Sequence, residues 1–325
     1  MRRSFVLFAV GISLIANSLD PGGVFLMIFP GSRATALGGA FCAVEGDAIG
    51  TYYNNASLAF TKNRYLGLQH TSWLPGLYPG MYYEYFSGVY PVKDKFVTTF
   101  ALTYITTGET YLDSIGGTPV EPFINYDLAV KLAIAQKFAE NYGISIGIKY
   151  IFSFLAPDWI VRAVAGKGGG QGRAWAVDVS AFYKVKNNLN FGLALQNFGP
   201  PLQFVEGGEQ DPLPRTLRVG VAYVPFENTL NRFMITGDLI KILVKTTTNF
   251  YDEWIDTWKA IGIEYSFSNM LYARLGYFID HNGKRVGPTF GAGFSYRNFR
   301  FDIGIDSKIY DFPTSNYRIS AQYSF

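Results

Sequence analysis

The amino-acid sequence predicts an all-β fold: a transmembrane antiparallel β-barrel of about fourteen strands, preceded by an N-terminal hatch or plug segment. Three observations favour this class: the composition, the alternation of apolar and polar residues, and the alternation of loop lengths. Charged residues are 16% and aromatic residues 17% of the chain, whereas the mean hydropathy is only +0.10. Because only alternate residues of a barrel strand face lipid, near-neutral hydropathy can accompany many Tyr, Phe and Trp.

The first residues have the pattern of an export signal. Arg2 and Arg3 give a basic start, and an apolar stretch of residues 5–16 follows. Ala16 and Ser18 are small residues at the spacing that signal cleavage after residue 18 requires. The stretch is shorter than the roughly 20 apolar residues that a membrane-spanning helix needs. We therefore expect residues 1–18 to be a signal peptide and the mature chain to be exported.

The last nine residues show the strand pattern most clearly. At residues 317–325 the odd positions are Tyr, Ile, Ala, Tyr and Phe, and the even positions are Arg, Ser, Gln and Ser. This alternation gives one apolar and one polar face. The same pattern predicts strands at residues 64–73, 81–90, 95–106, 124–137, 142–154, 175–185, 189–197, 216–225, 232–242, 258–267, 271–279, 289–296, 299–310 and 317–325.

Charged residues recur at every second position of these strands and are too costly for a lipid face, so we assign them to the lumen. They carry both signs, which argues against a strongly ion-selective pore. Two arrangements stay open: the charges pair with one another and brace the N-terminal segment, or they line a polar conduit. The predicted lumen-facing charges are Lys131, Lys149, Asp178, Lys184, Arg218, Glu264, Arg274, Arg300, Asp302, Asp306 and Arg318.

The connections between the predicted strands alternate in length. If the N-terminus lies in the periplasm, the connections on that side are short, at residues 91–95, 139–141, 186–188, 268–270 and 297–298. The outward connections are mostly long, at residues 107–123, 155–174, 198–215, 243–257 and 280–288. Bacterial outer-membrane barrels show this asymmetry, and an even strand number places both termini in the periplasm. A soluble propeller or solenoid fits less well, because no repeat of 20–50 residues is visible.

Residues 19–63 do not have the pattern of barrel wall, and we place the barrel itself at residues 64–325. Residues 31–44 are small and glycine-rich, and residues 52–59 have the character of a short helical turn with Asn55 as its cap. Such a segment could fold back into the lumen as a plug. It could also form a periplasmic extension under the barrel mouth, and composition leaves both open.

The sequence offers no site for a cofactor or a metal, and we expect no enzymatic activity. The two histidines, His70 and His281, lack the partners of a zinc motif. His70 lies near Ser72 in a predicted strand, a weak indication of a hydrolase on the barrel exterior. The single cysteine, Cys42, excludes an intramolecular disulfide, and we expect it to be buried. A net charge of +3 without a basic run argues against nucleic-acid binding.

Several short motifs, in order, give the chain a family resemblance. They are GSRATALGGAF at residues 31–41, DA at 47–48, YNNASLA at 53–59, AVD at 176–178, LQNFG at 195–199, LPRTLRVGVAY at 213–223, GIEY at 262–265 and ARLGY at 273–277. This set resembles the PorV/PorQ-type outer-membrane proteins, within the wider group of the long-chain fatty-acid transporter FadL.

The resemblance implies a fourteen-stranded barrel with an N-terminal hatch in its lumen. The hatch-motif residues that match are Gly38, Gly39, Asp47, Asn54, Asn55 and Ala56. The family pattern has Asn-Pro-Ala-Gly-Leu where this chain has NNASL at residues 54–58. The chain thus lacks a proline that would fix φ and a glycine that would relax it, so the family's detailed gating geometry is not carried over.

The resemblance also implies two functions. The first is secretion: an integral outer-membrane component of a type IX-like system that receives exported proteins. The second is a hatch-gated transporter of hydrophobic small molecules such as long-chain fatty acids. A structural or adhesive surface protein is a third, weaker class. The expected partners are outer-membrane lipid, the barrel-assembly machinery, and either secreted proteins with type IX components or a hydrophobic small molecule.

Overall fold

The computed structural model describes residues 21–92, 95–115, 117–244, 249–306 and 315–325. The predicted signal peptide, residues 1–18, lies outside the described residues. In the described part of the chain no helix is long and apolar enough to cross a bilayer.

Fourteen antiparallel strands form a closed barrel, in which each strand pairs with its neighbours in sequence and β14 returns to β1. The closing register pairs Tyr65 with Ser324 and Thr71 with Arg318. The strands are β1 (Tyr65–Ser72), β2 (Tyr82–Val92), β3 (Phe96–Thr110), β4 (Phe123–Ala139), β5 (Tyr142–Phe154), β6 (Gln171–Lys186), β7 (Leu189–Phe198), β8 (Thr216–Glu227), β9 (Asn231–Ile242), β10 (Trp258–Phe267), β11 (Leu271–Asp280), β12 (Arg285–Tyr296), β13 (Phe299–Asp306) and β14 (Asn316–Ser324).

The predicted barrel of about fourteen antiparallel strands is confirmed, and each predicted strand overlaps one observed strand. The largest differences lie at the strand ends far from the termini, and residues 307–310, predicted as the end of a strand, lie outside the described residues. β3 continues to Thr110 through a bulge between Thr106 and Gly108, and β6 and β12 begin four residues earlier than predicted. The added residues include Glu109 and Gln171, which are polar. Strand ends that rise beyond the apolar band lose the hydropathy contrast on which the pattern depends.

The barrel exterior is apolar and carries aromatic side chains at two levels. At the strand ends far from the termini, the rings of Tyr82, Tyr104 and Tyr126 follow one another with centroids 5.8 Å apart. At the opposite ends, Phe299 and Tyr323 lie 4.7 Å apart. Two such levels bounding an apolar band are typical of a transmembrane barrel, since aromatic rings prefer the interfaces of the bilayer.

The long connections all lie at one end of the barrel and contain short elements of their own. Helix α3 (Asp158–Ala165) and helix α4 (Phe250–Asp256) lie in two of them. Two further connections contain small ladders, which pair Ser114–Ile115 with Thr118–Pro119 and Leu202–Gln203 with Gln210–Asp211. The predicted difference in loop length between the two ends is therefore present.

The residues before β1, 21–64, are named here the N-terminal segment. They contain a 3₁₀ turn (Val24–Met27), helix α1 (Ser32–Ala36), helix α2 (Gly50–Tyr53) and a second 3₁₀ turn (Asn55–Phe60). The prediction of Asn55 as the helix cap was wrong by one residue. The cap is Asn54, whose extended backbone lets its side chain accept a hydrogen bond from the Ala56 N–H at 3.0 Å. Asn55 instead accepts a hydrogen bond from the Thr99 hydroxyl on the wall.

The N-terminal segment lies inside the barrel. Its large apolar side chains are buried, among them Phe29, Phe41 and Tyr53. The segment contacts inward-facing glycines in many strands, and a Cβ added to any of these would come within 2.6 Å of it. These glycines are Gly192 in β7, Gly262 in β10, Gly276 in β11, Gly291 in β12 and Gly304 in β13. A segment that touches the inner face of a closed barrel on so many strands occupies its interior. The role of the segment as a hatch stays a prediction.

Candidate functional site

The candidate site is the seat of the N-terminal segment on the barrel wall, where most of the predicted lumen-facing charges converge. Its first contact is made by Arg33 of α1, which is almost fully buried. The Arg33 guanidinium donates two hydrogen bonds of 2.7 Å to the two carboxylate oxygens of Glu264 in β10. A third bond of 3.0 Å reaches Asp47, farther along the same segment. Bidentate geometry of this kind is the strongest form of an ion pair between side chains.

The contacts of Arg33 belong to a closed circuit that we name the ion ring. Arg274 binds Glu264 and Asp302, both at 2.7 Å. Arg300 binds Asp302 at 2.9 Å and also Asp47, which closes the circuit. Cations and anions alternate around the ring, so its formal charge is zero. The members of the ion ring are Asp47, Arg33, Glu264, Arg274, Asp302 and Arg300.

The electrostatics of Asp47 follow from this arrangement. Burial alone would raise its pKa, but the guanidinium groups of Arg300 and Arg33 outweigh burial, and the backbone N–H of Ile49 adds a hydrogen bond. The pKa of Asp47 therefore lies below its ordinary value of 3.8, and the carboxylate is ionised at neutral pH. The cavity beside Arg33, Asp47 and Arg300 encloses about 30 Å³, room for about one water molecule.

A second cluster holds α2 against β4, β5 and β6. Asp178 binds Lys131 at 2.7 Å and Lys149 at 3.2 Å. Lys131 also donates a hydrogen bond of 3.0 Å to the carbonyl oxygen of Thr51 in α2. Asp178 further accepts a hydrogen bond of 2.8 Å from the backbone N–H of Asn197. The segment thus supplies a carbonyl acceptor to a wall cluster that has two cations and one anion.

A third contact involves the glycine-rich stretch at residues 38–42. Asp238 of β9 accepts hydrogen bonds from the backbone N–H groups of Phe41 at 3.0 Å and Cys42 at 2.9 Å. Arg218 of β8 binds Asp238 at 3.4 Å and the Gly39 carbonyl at 3.3 Å. Cys42 is fully buried in this contact, as predicted. An anion bound by two consecutive backbone N–H groups fixes the direction of the chain at that point.

The fourth contact surrounds the ring of Phe29. The guanidinium carbons of Arg218 and Arg285 lie 4.9 and 5.3 Å from its centroid, which is the geometry of cation–π interactions. Arg318 donates a hydrogen bond to the Phe29 carbonyl oxygen. Asp306 binds Arg285 at 2.6 Å and Arg318 at 3.4 Å. Phe29 is therefore held by cations on the wall at the end of the barrel that carries the long loops.

The residues of the hatch motif contact the wall through hydrogen bonds that involve backbone N–H or carbonyl groups. Gly38 and Gly39 have φ values of +68° and +85°, a region that favours glycine, and Gly38 donates a hydrogen bond of 3.0 Å to Thr289. Asn54 donates hydrogen bonds to the carbonyl oxygens of Cys42 at 2.9 Å and Ala181 at 3.0 Å. Ala56 donates one of 3.1 Å to Ser180. The side-chain hydrogen bonds of Asn54 fix the backbone at this position. In the family pattern, the proline that follows restricts the backbone there.

All the predicted lumen-facing charges lie on inward positions, and most of them meet the N-terminal segment or one another. Lys184 is apart from the ion ring and binds Glu45 at 2.5 Å. Sequence reasoning missed Arg33, although one arginine within a stretch of small residues was a visible signal. It also missed Arg285. Of the two open arrangements, the observed contacts are those of charges that pair and brace the segment.

The histidines lie away from this site. His70 is on the outward face of β1, where its Nδ1 lies 2.6 Å from an Oε atom of Glu84 in β2. His281 lies in the exposed turn that follows β11. In the part of the chain that the structure describes, no three His, Cys, Asp or Glu side chains are grouped as ligands of a metal ion.

The fold resembles solved outer-membrane transporters at low sequence identity. The toluene transporter TodX of Pseudomonas putida matches with a TM-score of 0.57 and 13% identity, over 91% of this chain and 97% of that one. The toluene transporter TbuX of Ralstonia pickettii matches with a TM-score of 0.52 and 12% identity, over 91% and 97%. A FadL homologue of Pseudomonas aeruginosa matches with a TM-score of 0.50 and 11% identity, over 90% and 97%. These similarities show the fold.

A family model gives the sequence-level assignment. The model described as type IX secretion system protein PorV matches residues 16–249, which is more than half of the chain. No curated protein sequence matches the chain. The closed barrel, its two aromatic levels and the family agree on an outer-membrane location. The chain belongs to the PorV family of type IX secretion system proteins.

Proposed function

We propose that this protein is a cargo-handling component of a type IX secretion system and that it has no enzymatic activity of its own. The match of the PorV family model to residues 16–249 carries the proposal. In this proposal both termini lie in the periplasm and the long loops face the cell exterior. Secreted proteins and other type IX components are its partners, and they meet it at those loops.

The filled interior supports a role at the surface and not as a conduit for polypeptide. A chain passing through the lumen would have to displace the N-terminal segment, which would break the ion ring and release Phe29 from Arg218 and Arg285. Separating a buried ion pair without replacing its partners costs about 3–5 kcal/mol. Several such contacts would have to open together, so cargo is handled outside the lumen.

One specific observation favours the second candidate function, transport of a hydrophobic small molecule. A cavity of about 250 Å³ lies between the start of the N-terminal segment and the strand ends near the long loops. Its lining is mainly apolar and includes Phe25, Ile28, Trp73, Ile105 and Phe154. An apolar cavity of this kind suits a small hydrophobic ligand, although it is near the lower size limit for such sites. In this alternative the N-terminal segment must move to let the ligand pass.

The two functions differ in whether the N-terminal segment moves, and a disulfide can hold it in place. A Cβ placed on Gly67 of β1 would lie 3.0 Å from the Cβ of Ala48 in the segment and 2.7 Å from the Ser87 hydroxyl oxygen, which can rotate away. Disulfides join Cβ atoms about 3.5–4.5 Å apart, so a small shift accommodates the bond. The test variant is Ala48→Cys with Gly67→Cys, in a Cys42→Ala background that removes the competing thiol. Ala48→Cys alone in the same background is the matched control.

The readouts are pull-downs from native outer membranes and uptake of a labelled long-chain fatty acid. We expect the oxidised variant to retain exported proteins and type IX components at the level of the control. Loss of these proteins on oxidation, with recovery on reduction, would contradict cargo handling outside the lumen. Fatty-acid uptake that stops on oxidation and returns on reduction would support the transporter instead.

A further inference from the structure

Helix α4 lies against the outer wall of the barrel, on the side that faces lipid. Lys241 of β9 occupies an outward position, and its Nζ binds Glu253 at 2.5 Å and Asp256 at 2.6 Å, both in α4. Lys259 of β10 is also outward, and its Nζ lies 4.6 Å from the ring centroid of Trp254. Two outward-facing lysines on neighbouring strands therefore hold α4 at the outer rim, and not over the mouth.

The exposed face of α4 is aromatic. Phe250 is 83% exposed, Tyr251 66% and Trp254 48%. At 100° per residue these three side chains fall within one arc of about 100°, whereas Glu253 and Asp256 lie on the other side, toward Lys241. Exposed aromatic clusters of this kind are unusual on a surface that contacts only water.

The aromatic face continues the lipid-facing band of the barrel. Leu239 precedes Lys241 by two residues and Ile261 follows Lys259 by two, so both lie on the same outward face, nearer the middle of the barrel. Both side chains are exposed on the barrel exterior. The aromatic residues of α4 thus lie beside the outer end of the apolar wall.

We propose that α4 is an interfacial helix that binds the lipid leaflet at that end of the barrel, with Phe250, Tyr251 and Trp254 inserted among the lipids. Trp and Tyr prefer this depth because the ring is apolar and its N–H or O–H reaches the polar layer. The two acidic side chains that Lys241 binds, Glu253 and Asp256, lie toward the barrel wall, so the aromatic face that meets the lipids carries no acidic side chain. In this position the helix keeps residues 249–257 at the outer rim of the barrel.

The test uses a fluorescent probe at single cysteines in the full-length barrel. Cys42→Ala removes the native thiol, and Tyr251→Cys places the probe on the aromatic face. Val164→Cys on α3 is the matched control, because Val164 is also strongly exposed, at 73%, but lies in a different long loop. The labelled proteins are reconstituted into vesicles of phosphatidylcholine and phosphatidylglycerol. A nitroxide lipid labelled near its headgroup and aqueous iodide serve as the two quenchers.

We expect the nitroxide lipid to quench the probe at residue 251 at least twofold more than the probe at residue 164, and iodide to show the reverse order. Equal quenching at the two positions would overturn the proposal. Protection of residue 251 from both quenchers would also overturn it, since it would indicate a protein surface over α4. Lys241→Gln, which removes both ion pairs to α4, should reduce nitroxide quenching at residue 251. Resistance of the folded barrel to unfolding in SDS without heating verifies that every variant is assembled.

Discussion

Arg33 joins two carboxylates that lie far apart along the chain, Asp47 in the N-terminal segment and Glu264 in β10. Each carboxylate also binds a second arginine, Arg300 in one case and Arg274 in the other. Every ion of the ring has two partners within it, but Glu264 also has a third cation, Arg232, at 3.7 Å, so losing Glu264 affects more partners than losing Arg33. The ion ring therefore predicts an order of effects as well as a loss of stability.

We expect Glu264→Gln to lower the free energy of unfolding by about 3–5 kcal/mol, because it leaves Arg33 and Arg274 buried without their shared carboxylate. Arg33→Met should cost less, since it takes one partner from two carboxylates, whereas Glu264→Gln takes one partner from three arginines. Urea unfolding in detergent micelles measures both. Asp158→Asn, in an exposed pair with Arg162 on α3, is the control and should have little effect. Equal stability of Glu264→Gln and the control would contradict the role assigned to the ring.

The pKa of Asp47 predicts a pH dependence. Its folded pKa lies below the ordinary value of 3.8, so ionised Asp47 stabilises the fold above that pH and the contribution is lost as the pH falls below it. We expect Asp47→Asn to be less stable than the unmodified protein at about pH 6, with the difference shrinking toward about pH 3. Urea unfolding at the two pH values measures it. A difference that stays constant or grows on acidification would show that Asp47 does not titrate in this way.

Among the elements, α1 depends on glycines in the wall that faces it. A Cβ on Gly304 of β13 would lie 2.5 Å from the Ser32 carbonyl oxygen, and one on Gly276 of β11 would lie 2.2 Å from the Gly38 nitrogen. Backbone atoms at these distances cannot yield as a flexible side chain would. The inward faces of β11 and β13 therefore leave room for the N-terminal segment only because they carry no side chains there.

We expect Gly276→Val to displace the N-terminal segment while the barrel still closes, because the clash involves the segment's backbone and the strand can accept a β-branched residue. Conductance in planar bilayers should rise above that of the unmodified protein. Gly88→Val in β2 is the matched control, since a Cβ there has only a side-chain atom of Leu66 within 4 Å, at 3.8 Å. Unchanged conductance of an assembled Gly276→Val barrel would show that the segment tolerates the intrusion.

At the scale of the whole molecule, the barrel closes where its two terminal strands meet. Beyond the last paired residues, the Arg64 N–H donates to the Phe325 carbonyl at 3.3 Å, and the Phe325 N–H donates to the Arg64 carbonyl at 3.1 Å. The ring of Phe325 also lies 5.6 Å from that of Tyr323 on the exterior. Closure leaves no strand edge in the bilayer, where an unpaired backbone group would find no water.

We expect Phe325→Ser to reduce the amount of folded protein in the outer membrane at least twofold, because the Phe325 ring belongs to the aromatic level that anchors this end of the barrel at the bilayer interface. The heat-modifiable fraction on SDS gels measures it. Once folded, the variant should unfold at nearly the same urea concentration as the unmodified protein, because its backbone bonds to Arg64 persist. A large loss of stability with normal assembly would indicate that the residue acts in packing.

The sequence alone determined the barrel, its approximate strand positions and the faces of the strands whose alternation is clear. Residues 317–325 illustrate why: in a strand that crosses lipid, each side chain meets either hydrocarbon or the lumen, so the constraint acts residue by residue and leaves a period of two. The aromatic levels and the loop asymmetry follow from the same bilayer. Strand ends beyond the apolar band, such as the start of β6 at Gln171, lack this alternation of apolar and polar residues, so the sequence did not predict them.

Tertiary structure alone decided which charges pair and where α4 lies. The ion ring joins residues more than 200 positions apart, and which arginine faces which carboxylate depends on the barrel register and the path of the segment inside it. Sequence reasoning could place Glu264 in the lumen but could not connect it to Arg33. The sequence of the seven residues of α4 does not specify where the helix lies. Its position at the outer rim depends on its contacts with Lys241 and Lys259, which project outward from the wall. The local sequence pattern determines on which face of the barrel wall a residue lies, whereas the tertiary structure determines which residues it contacts.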